Sequence, residues 1–255
     1  MEDRAILSVQ LYSLRSYGDL DRVLRAVASA GYQCVETVGS HLENPEATHA
    51  ALEKHGLRAP TSHVGIAALR ERFDAIVAAC RALGVGQLFM PAVPADERDM
   101  EGAGWIALGR ELAGFARRLD GLGIGLGYHN HDWELQRKEG GTALDLLFAA
   151  AADSPLTWQV DVAWLARGGA DPKAWIARYR PLVVSAHVKD IAHRGENLDQ
   201  DGWADVGAGV LDWRDLWRVC RNAGARWMVV EHDKPVDPAK SVANSYAFLK
   251  GLADG

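Results

Sequence analysis

Gly121-Leu122-Gly123-Ile124-Gly125-Leu126-Gly127 runs out of a helical pattern, predicted over Gly104–Leu122, into a predicted strand, Gly125–His129. Its alternating glycines superficially match a dinucleotide-binding fingerprint. That fingerprint needs the opposite order, a strand leading into a helix whose N-terminus receives the pyrophosphate, so the nucleotide reading is discarded. The segment instead holds a helix stopped by glycine and followed at once by a strand, which is one joint of a βα repeat.

The same joint recurs along the chain. Short β-branched or aromatic runs predict strands at Ile6–Gln10, Cys34–Val38, Ala59–His63, Gln87–Pro91, Gly125–His129, Thr157–Val160, Val183–Val188 and Trp227–Glu231. Helical periodicity between them predicts helices at Asp19–Ala30, Pro45–His55, Ala67–Leu83, Gly104–Leu122, Ala143–Ala152, Pro172–Tyr179, Trp213–Asn222 and Pro238–Leu252. Gly31, Gly56, Gly84, Gly123 and Gly224 stand where left-handed C-caps are required, and Asp19, Asn44-Pro45, Asp171-Pro172 and Asp237-Pro238 supply N-terminal signals. A doubly wound sheet usually has fewer strands and a phosphate-binding turn after the first. Eight βα units therefore predict an α/β chain that closes into a single (β/α)8 TIM barrel, one domain over residues 1–255.

The composition agrees. With 255 residues, 48% hydrophobic and 24% charged, the chain has apolar surface for one large core and is neither disordered nor fibrous. Its formal net charge of −6 sets a repulsive mean field against a phosphate backbone, which argues against a nucleic-acid partner. Met1-Glu2-Asp3-Arg4 is charged and runs straight into a strand, and no apolar run reaches the roughly 18 residues of a membrane span. A soluble cytoplasmic protein with no membrane partner is expected. Cys34, Cys80 and Cys220 are odd in number, far apart and set in apolar stretches, which predicts reduced core thiols.

In a parallel barrel every strand's C-terminal end opens on one face, and there polar residues collect. The first strand ends near Gln10 and Tyr12, the second carries Glu36, and the third ends at His63. The fifth runs into Tyr128-His129-Asn130-His131-Asp132-Trp133-Glu134, the sixth into Asp161, the seventh into His187-Val188-Lys189-Asp190, and the eighth into Glu231-His232-Asp233. Strand interiors look dominated by Val, Ile, Leu, Met and Ala. Asp161, His187 and Glu231 offer three ligands from successive strand ends, and burying such carboxylates together without a cation would cost many kcal/mol. One divalent ion, Mn²⁺, Mg²⁺, Co²⁺ or Zn²⁺, is expected, with a fourth ligand among Glu134, His129 and His131.

Taken with Ser8-Val9-Gln10-Leu11-Tyr12-Ser13-Leu14-Arg15, Gly169-Ala170-Asp171-Pro172 and Val206-Gly207-Ala208-Gly209-Val210-Leu211-Asp212-Trp213, these motifs run the length of the chain. They resemble the xylose isomerase-like barrels, a superfamily of sugar phosphate isomerases and epimerases that includes inosose dehydratases and is related to endonuclease IV. The resemblance implies a metal held by Asp161, His187, Glu231 and a fifth-strand residue, either Glu134 reaching back or His129 in its place. Charge balance favours Glu134. Ala208 stands where many relatives carry a glutamate.

The implied activity is metal-dependent isomerisation or epimerisation of a keto-sugar, sugar phosphate or polyol by α-proton abstraction through an enediolate. The alternatives are a dehydratase or lyase on a keto-inositol or 3-keto-glycoside and, below it, a non-catalytic sugar-binding barrel. Homo-oligomer formation is left open. Catalytic roles are expected for Glu231, Glu134, Lys189 and His63. Substrate contacts are expected for Gln10, Glu36, His129, His131, Trp164 and Lys189, with Trp133, Trp164 and Trp203 as rings for sugar C–H faces. The long polar segment His193–Gly209 is expected to act as a mobile cover.

Overall fold

The structure, a computed structural model, describes residues 6–253, so the charged Met1-Glu2-Asp3-Arg4 start lies outside it. Eight parallel strands, Ile6–Gln10, Cys34–Thr37, Arg58–His63, Gln87–Met90, Gly125–His129, Thr157–Asp161, Val183–Val188 and Trp227–Val230, form a closed barrel. Closure occurs where the first strand pairs with both the second and the eighth. The helical turns that connect them lie outside, and the three cysteines are buried and unpaired.

The glycine-rich joint behaves as its chemistry requires. Gly123 takes φ +76°, a left-handed turn that frees the chain from the helix ending at Asp120. At Gly127 a Cβ would lie 2.6 Å from the Phe89 ring and 2.7 Å from Thr157 Oγ1, so only glycine lets the fourth, fifth and sixth strands pack there.

Two differences from the sequence reading bear on the site. The helix expected at Ala67–Leu83 is two, Ile66–Glu71 and Phe73–Leu83, separated at Arg72, and each buries its own apolar set. No glycine or proline marks that break. A short helix, Val162–Arg167, follows directly on the sixth strand because Asp161 Oδ1 accepts the Trp164 backbone N–H at 2.9 Å and caps it.

The barrel interior corrects the expectation of apolar strand interiors. Side chains alternate along a strand, so Val9, Val35, Val160 and Ala186 pack outward under the helices while their neighbours point inward. Those inward neighbours include Gln10, Glu36, Gln159, Ser185 and His187, all buried and bonded to one another across the lumen.

The segment expected as a mobile cover, His193–Gly209, is tied down from Asn197 onward. Trp203–Ala204 pairs with Asp190–Ile191, Asn197 Nδ2 donates to Trp203 O, and Val206 N–H donates to Ser245 Oγ. The Asp190 carboxylate accepts from the N–H groups of Ile191, Gly207, Gly209 and Leu211 at 2.9 to 3.3 Å. In this structure the segment is a bonded wall of the barrel mouth.

Candidate metal centre

Four strand ends bring their side chains together. His129 closes the fifth strand, Asp161 closes the sixth, His187 lies one residue before the end of the seventh, and Glu231 follows the eighth. One nitrogen or oxygen from each lies within 4.8 Å of the other three, and all four side chains are buried. The parallel register does this directly, placing His187 beside Asp161 on one side and Val229 on the other.

The hydrogen-bond partners fix which atoms face inward. Gln159 Nε2 donates to Glu36 Oε2 at 2.8 Å and to Ser185 Oγ at 3.0 Å, so its Oε1 is the atom 3.0 Å from His129 Nδ1. Nδ1 therefore carries the hydrogen, and Nε2 presents a lone pair 3.8 Å from Asp161 Oδ2. Burial, then the charges of His187 and His63, hold the His129 ring well below the usual histidine range, so it is neutral. Asp161 Oδ1 is used by the Trp164 cap, whereas Oδ2 is buried with no hydrogen-bond partner. Asn130 clamps that strand end by accepting from Asp161 N–H and donating to Asp161 O.

His187 stands between two carboxylates, with Nε2 2.7 Å from Glu36 Oε1 and Nδ1 3.0 Å from Glu231 Oε2. Burial pushes its pKa down, but Glu231 and Glu36 outweigh it and raise it to about 10. A buried carboxylate oxygen without a hydrogen bond, a neutral imidazole facing it and a second imidazole oriented by a carboxylate behind it are a donor set that suits a divalent cation. The residues present fit that group. Nδ1 of His187 would hold the ion in place of a proton, with Nε2–H left on Glu36.

Glu134, expected as the fifth-strand ligand, is placed elsewhere. It is fully buried, but Oε1 accepts the Tyr128 hydroxyl at 2.7 Å and Oε2 accepts the His131 backbone N–H at 2.8 Å. It lies in a short turn, Trp133–Leu135, that bends back under the fifth strand. Burial dominates there and raises its pKa to about 7. The structure therefore groups His129, and not Glu134, with Asp161, His187 and Glu231, and it does not bring Glu134 to the cavity as a catalytic group.

Lys189 is also fully buried, and its Nζ lies 2.9 Å from Glu231 Oε2, 3.3 Å from Asp161 Oδ2 and 2.9 Å from Asp233 Oδ2. Burial disfavours its charge, but Asp161, Asp233 and Glu231 together raise its pKa, so it is a fixed ammonium and not a base. Asp190, its neighbour in sequence, turns away to hold the loop.

Beneath the quartet lies a polar floor. Glu36 accepts from Gln10 Nε2 and Gln159 Nε2, and pairs with His187 and, at 3.0 Å, with His63 Nε2. Burial pushes its carboxyl up, but His63 and His187 pull it further down, well below the usual range. Gln10 and Glu36 were expected to touch substrate; the structure makes them a floor that does not line the cavity.

Above the quartet opens a cavity of about 540 Å³ lined by His63, His129, His131, Trp133, Trp164 and Glu231, with Tyr12, Arg15, Arg98, Asp201, Asp233 and Lys234 around them. Trp133 stacks on His131 at 4.0 Å. Trp203, expected as a sugar platform, is buried behind Trp164 at 4.8 Å and backs the wall instead. Sequence reasoning missed Gln159, Ser185, Asn130 and Arg98. A lone polar residue at an inward-facing position of an apolar strand could have indicated the first two; nothing local distinguishes Arg98.

A family model described as xylose isomerase-like TIM barrel matches residues 24–252. The chain belongs to the xylose isomerase-like TIM barrel family. Among curated relatives it is 26% identical over 165 residues to the rhizopine catabolism protein MocC of Rhizobium meliloti, a match covering 59% of this chain and 49% of that protein. The chain thus spans about half the length of the curated relative it matches. A sugar phosphate isomerase/epimerase structure from Parabacteroides distasonis ATCC 8503 superposes with TM-score 0.79 at 21% identity, covering 98% of this chain and 94% of that one. The probable 3-DHS dehydratase AsbF of Bacillus anthracis superposes with TM-score 0.74 at 11% identity, covering 96% and 98%. At these identities the structures share the fold. Asp161, His187 and Glu231, the three ligands that the resemblance implies, are among the four residues that converge here, and His129 is the fourth.

Proposed function

We propose that this chain is a divalent-metal-dependent isomerase or epimerase of a keto-sugar, sugar phosphate or polyol, acting by removal and return of a proton α to a carbonyl. The observation that carries the proposal is the His129–Asp161–His187–Glu231 quartet, in which Asp161 Oδ2 has no hydrogen bond and only the Lys189 ammonium at 3.3 Å, and of which His129 and Glu231 line the aromatic-walled cavity. Two imidazoles and two carboxylates favour Mn²⁺, Co²⁺ or Zn²⁺ over Mg²⁺. When bound, the ion supplies Lewis-acid polarisation of the substrate's oxygen pair.

The chain's own groups supply the rest. Glu231 lines the cavity and uses Oε2 for His187 and Lys189, leaving Oε1 to take up a proton. His63 lines the same cavity, its Nε2 oriented by Glu36 and by Gln159 at 2.8 Å, and serves as the second proton carrier. The Lys189 ammonium offsets charge on the carboxylates. Trp164 gives a flat wall for sugar C–H groups, while Trp133 is sandwiched between His131 and Arg98.

The test is NMR in D₂O with a panel of keto-sugars and inososes, on protein dialysed and reloaded with Mn²⁺ or Co²⁺. Solvent deuterium entering the carbon next to the carbonyl, with an isomer or epimer as product, supports the proposal. Loss of water with a new alkene or dione points to the dehydratase. Tight sugar binding without exchange under any metal leaves only the non-catalytic barrel.

A further inference from the structure

Most arginines at the barrel mouth are used. Arg167 donates to Asp201 O while lying over the Trp203 ring, and Arg15 donates to Tyr12 O and Asp233 O. Lys234 pairs with Asp201. Arg98, in the loop after the fourth strand, differs. Among the described residues its guanidinium has no hydrogen bond and no carboxylate partner, and its Nε is buried without an acceptor. It lies over Trp133 at 3.8 Å and lines the same cavity as His129 and Glu231.

Its surroundings share that imbalance. The Trp133 and Trp164 indole N–H groups are likewise buried with no acceptor, so three residues that line the cavity each carry a donor without a partner. An indole N–H and a guanidinium can only donate, and a buried donor left unpaired costs about 1–3 kcal/mol. A neutral hydroxyl answers such a wall with one acceptor oxygen and brings a donor of its own. A phosphate or carboxylate brings several acceptors, no competing donor and the charge Arg98 lacks. In a chain of net charge −6, Arg98 and Arg15, which bonds only to backbone carbonyls, are cations lining the cavity without a carboxylate partner, and they favour an anion locally.

We propose that Arg98 is a specificity-determining residue that holds an anionic substituent of the substrate, a phosphate or a carboxylate, away from the reacting carbons at the quartet. The inference rests on the cavity being the substrate site proposed above, and it narrows the substrate class to acidic sugars.

Isothermal titration of the Mn²⁺-loaded protein with matched pairs tests it: D-ribulose 5-phosphate against D-ribulose, and D-glucuronate against D-glucose. At least one anionic member should bind about tenfold or more tightly than its neutral partner, and which pair shows the preference identifies the source of the charge. Arg98→Gln should reduce that preference to within about twofold while metal content stays that of the wild type, and Arg98→Lys should restore part of it. Equal affinity within both pairs, no binding of either anion, or a preference that survives Arg98→Gln would overturn the proposal. Failure of the enzymatic reading looks different, as a charge preference that persists without deuterium exchange.

Discussion

Glu36 and Glu134 are both wholly buried at the same end of one barrel, and they differ in charge. Glu36, in the lumen, faces two histidines and two amide N–H groups, which hold its carboxyl well below the usual range. Glu134, under the fifth strand, meets only a phenol and a backbone N–H, and burial pushes it up to about 7. Desolvation acts on both; only the lumen supplies opposite charge. One glutamate is an anion held behind the His129–Asp161–His187–Glu231 quartet, the other a carboxyl pushed up to about 7, and composition does not distinguish them.

The largest expected effect lies on the charged side. Glu231→Gln removes a ligand oxygen and a proton acceptor together, so turnover should fall by about a thousandfold or more with the fold intact. Metal analysis alongside deuterium exchange checks it, and an equally active variant would undo the assignment. Next comes Glu36→Gln, which leaves His187 without the carboxylate behind it. Metal affinity should drop about 10–100-fold, and breaking a buried pair should destabilise by about 3 kcal/mol. Chelator competition and denaturant melts measure the two.

His129→Leu against Glu134→Gln sharpens the contrast on the fifth strand. His129→Leu should lose metal by about tenfold or more, since a ligand is gone, whereas Glu134→Gln should stay within about threefold. The reverse ranking would restore Glu134 as the ligand.

The smallest effect is the pH dependence of Glu134 itself. Its folded pKa, about 7, is above that of an unfolded glutamate, about 4.3. The folded state therefore holds the proton more tightly, its contribution is fully present below about pH 4.3, and it is lost as pH rises through 7. Glutamine does not ionise, so Glu134→Gln should gain up to about 3 kcal/mol on the wild type between pH 4 and pH 8. A constant offset of about 1 kcal/mol from the lost acceptor accompanies that gain. Melts at the two pH values giving the same difference would mean that Glu134 is ionised throughout.

Much of the barrel was legible because its signals are local. Ile6–Gln10, Gly125–His129 and Val183–Val188 are strands at the predicted bounds, since β-branched runs, glycine stops and Asp caps act on their own few residues. Asp161, His187 and Glu231 were legible because strand ends of a parallel barrel share one face. The helix break at Arg72 was not, because no residue there forces it. Asp161 is both a helix cap and a candidate ligand, one oxygen for each, a division no pattern of residue types displays.

By itself the sequence determined the eightfold alternation, the polar face and three of the four converging candidate ligands, all consequences of short-range propensity and of period-two and period-3.6 patterning. The tertiary structure alone decided the fourth, turning Glu134 back onto Tyr128 and leaving His129 to face Asp161. It alone placed the Lys189 ammonium among three carboxylates and left Arg98 over Trp133 without one. Those outcomes depend on pairs far apart in the chain, such as Glu36 with His187, whose meeting is set by barrel closure and not by either residue's neighbours.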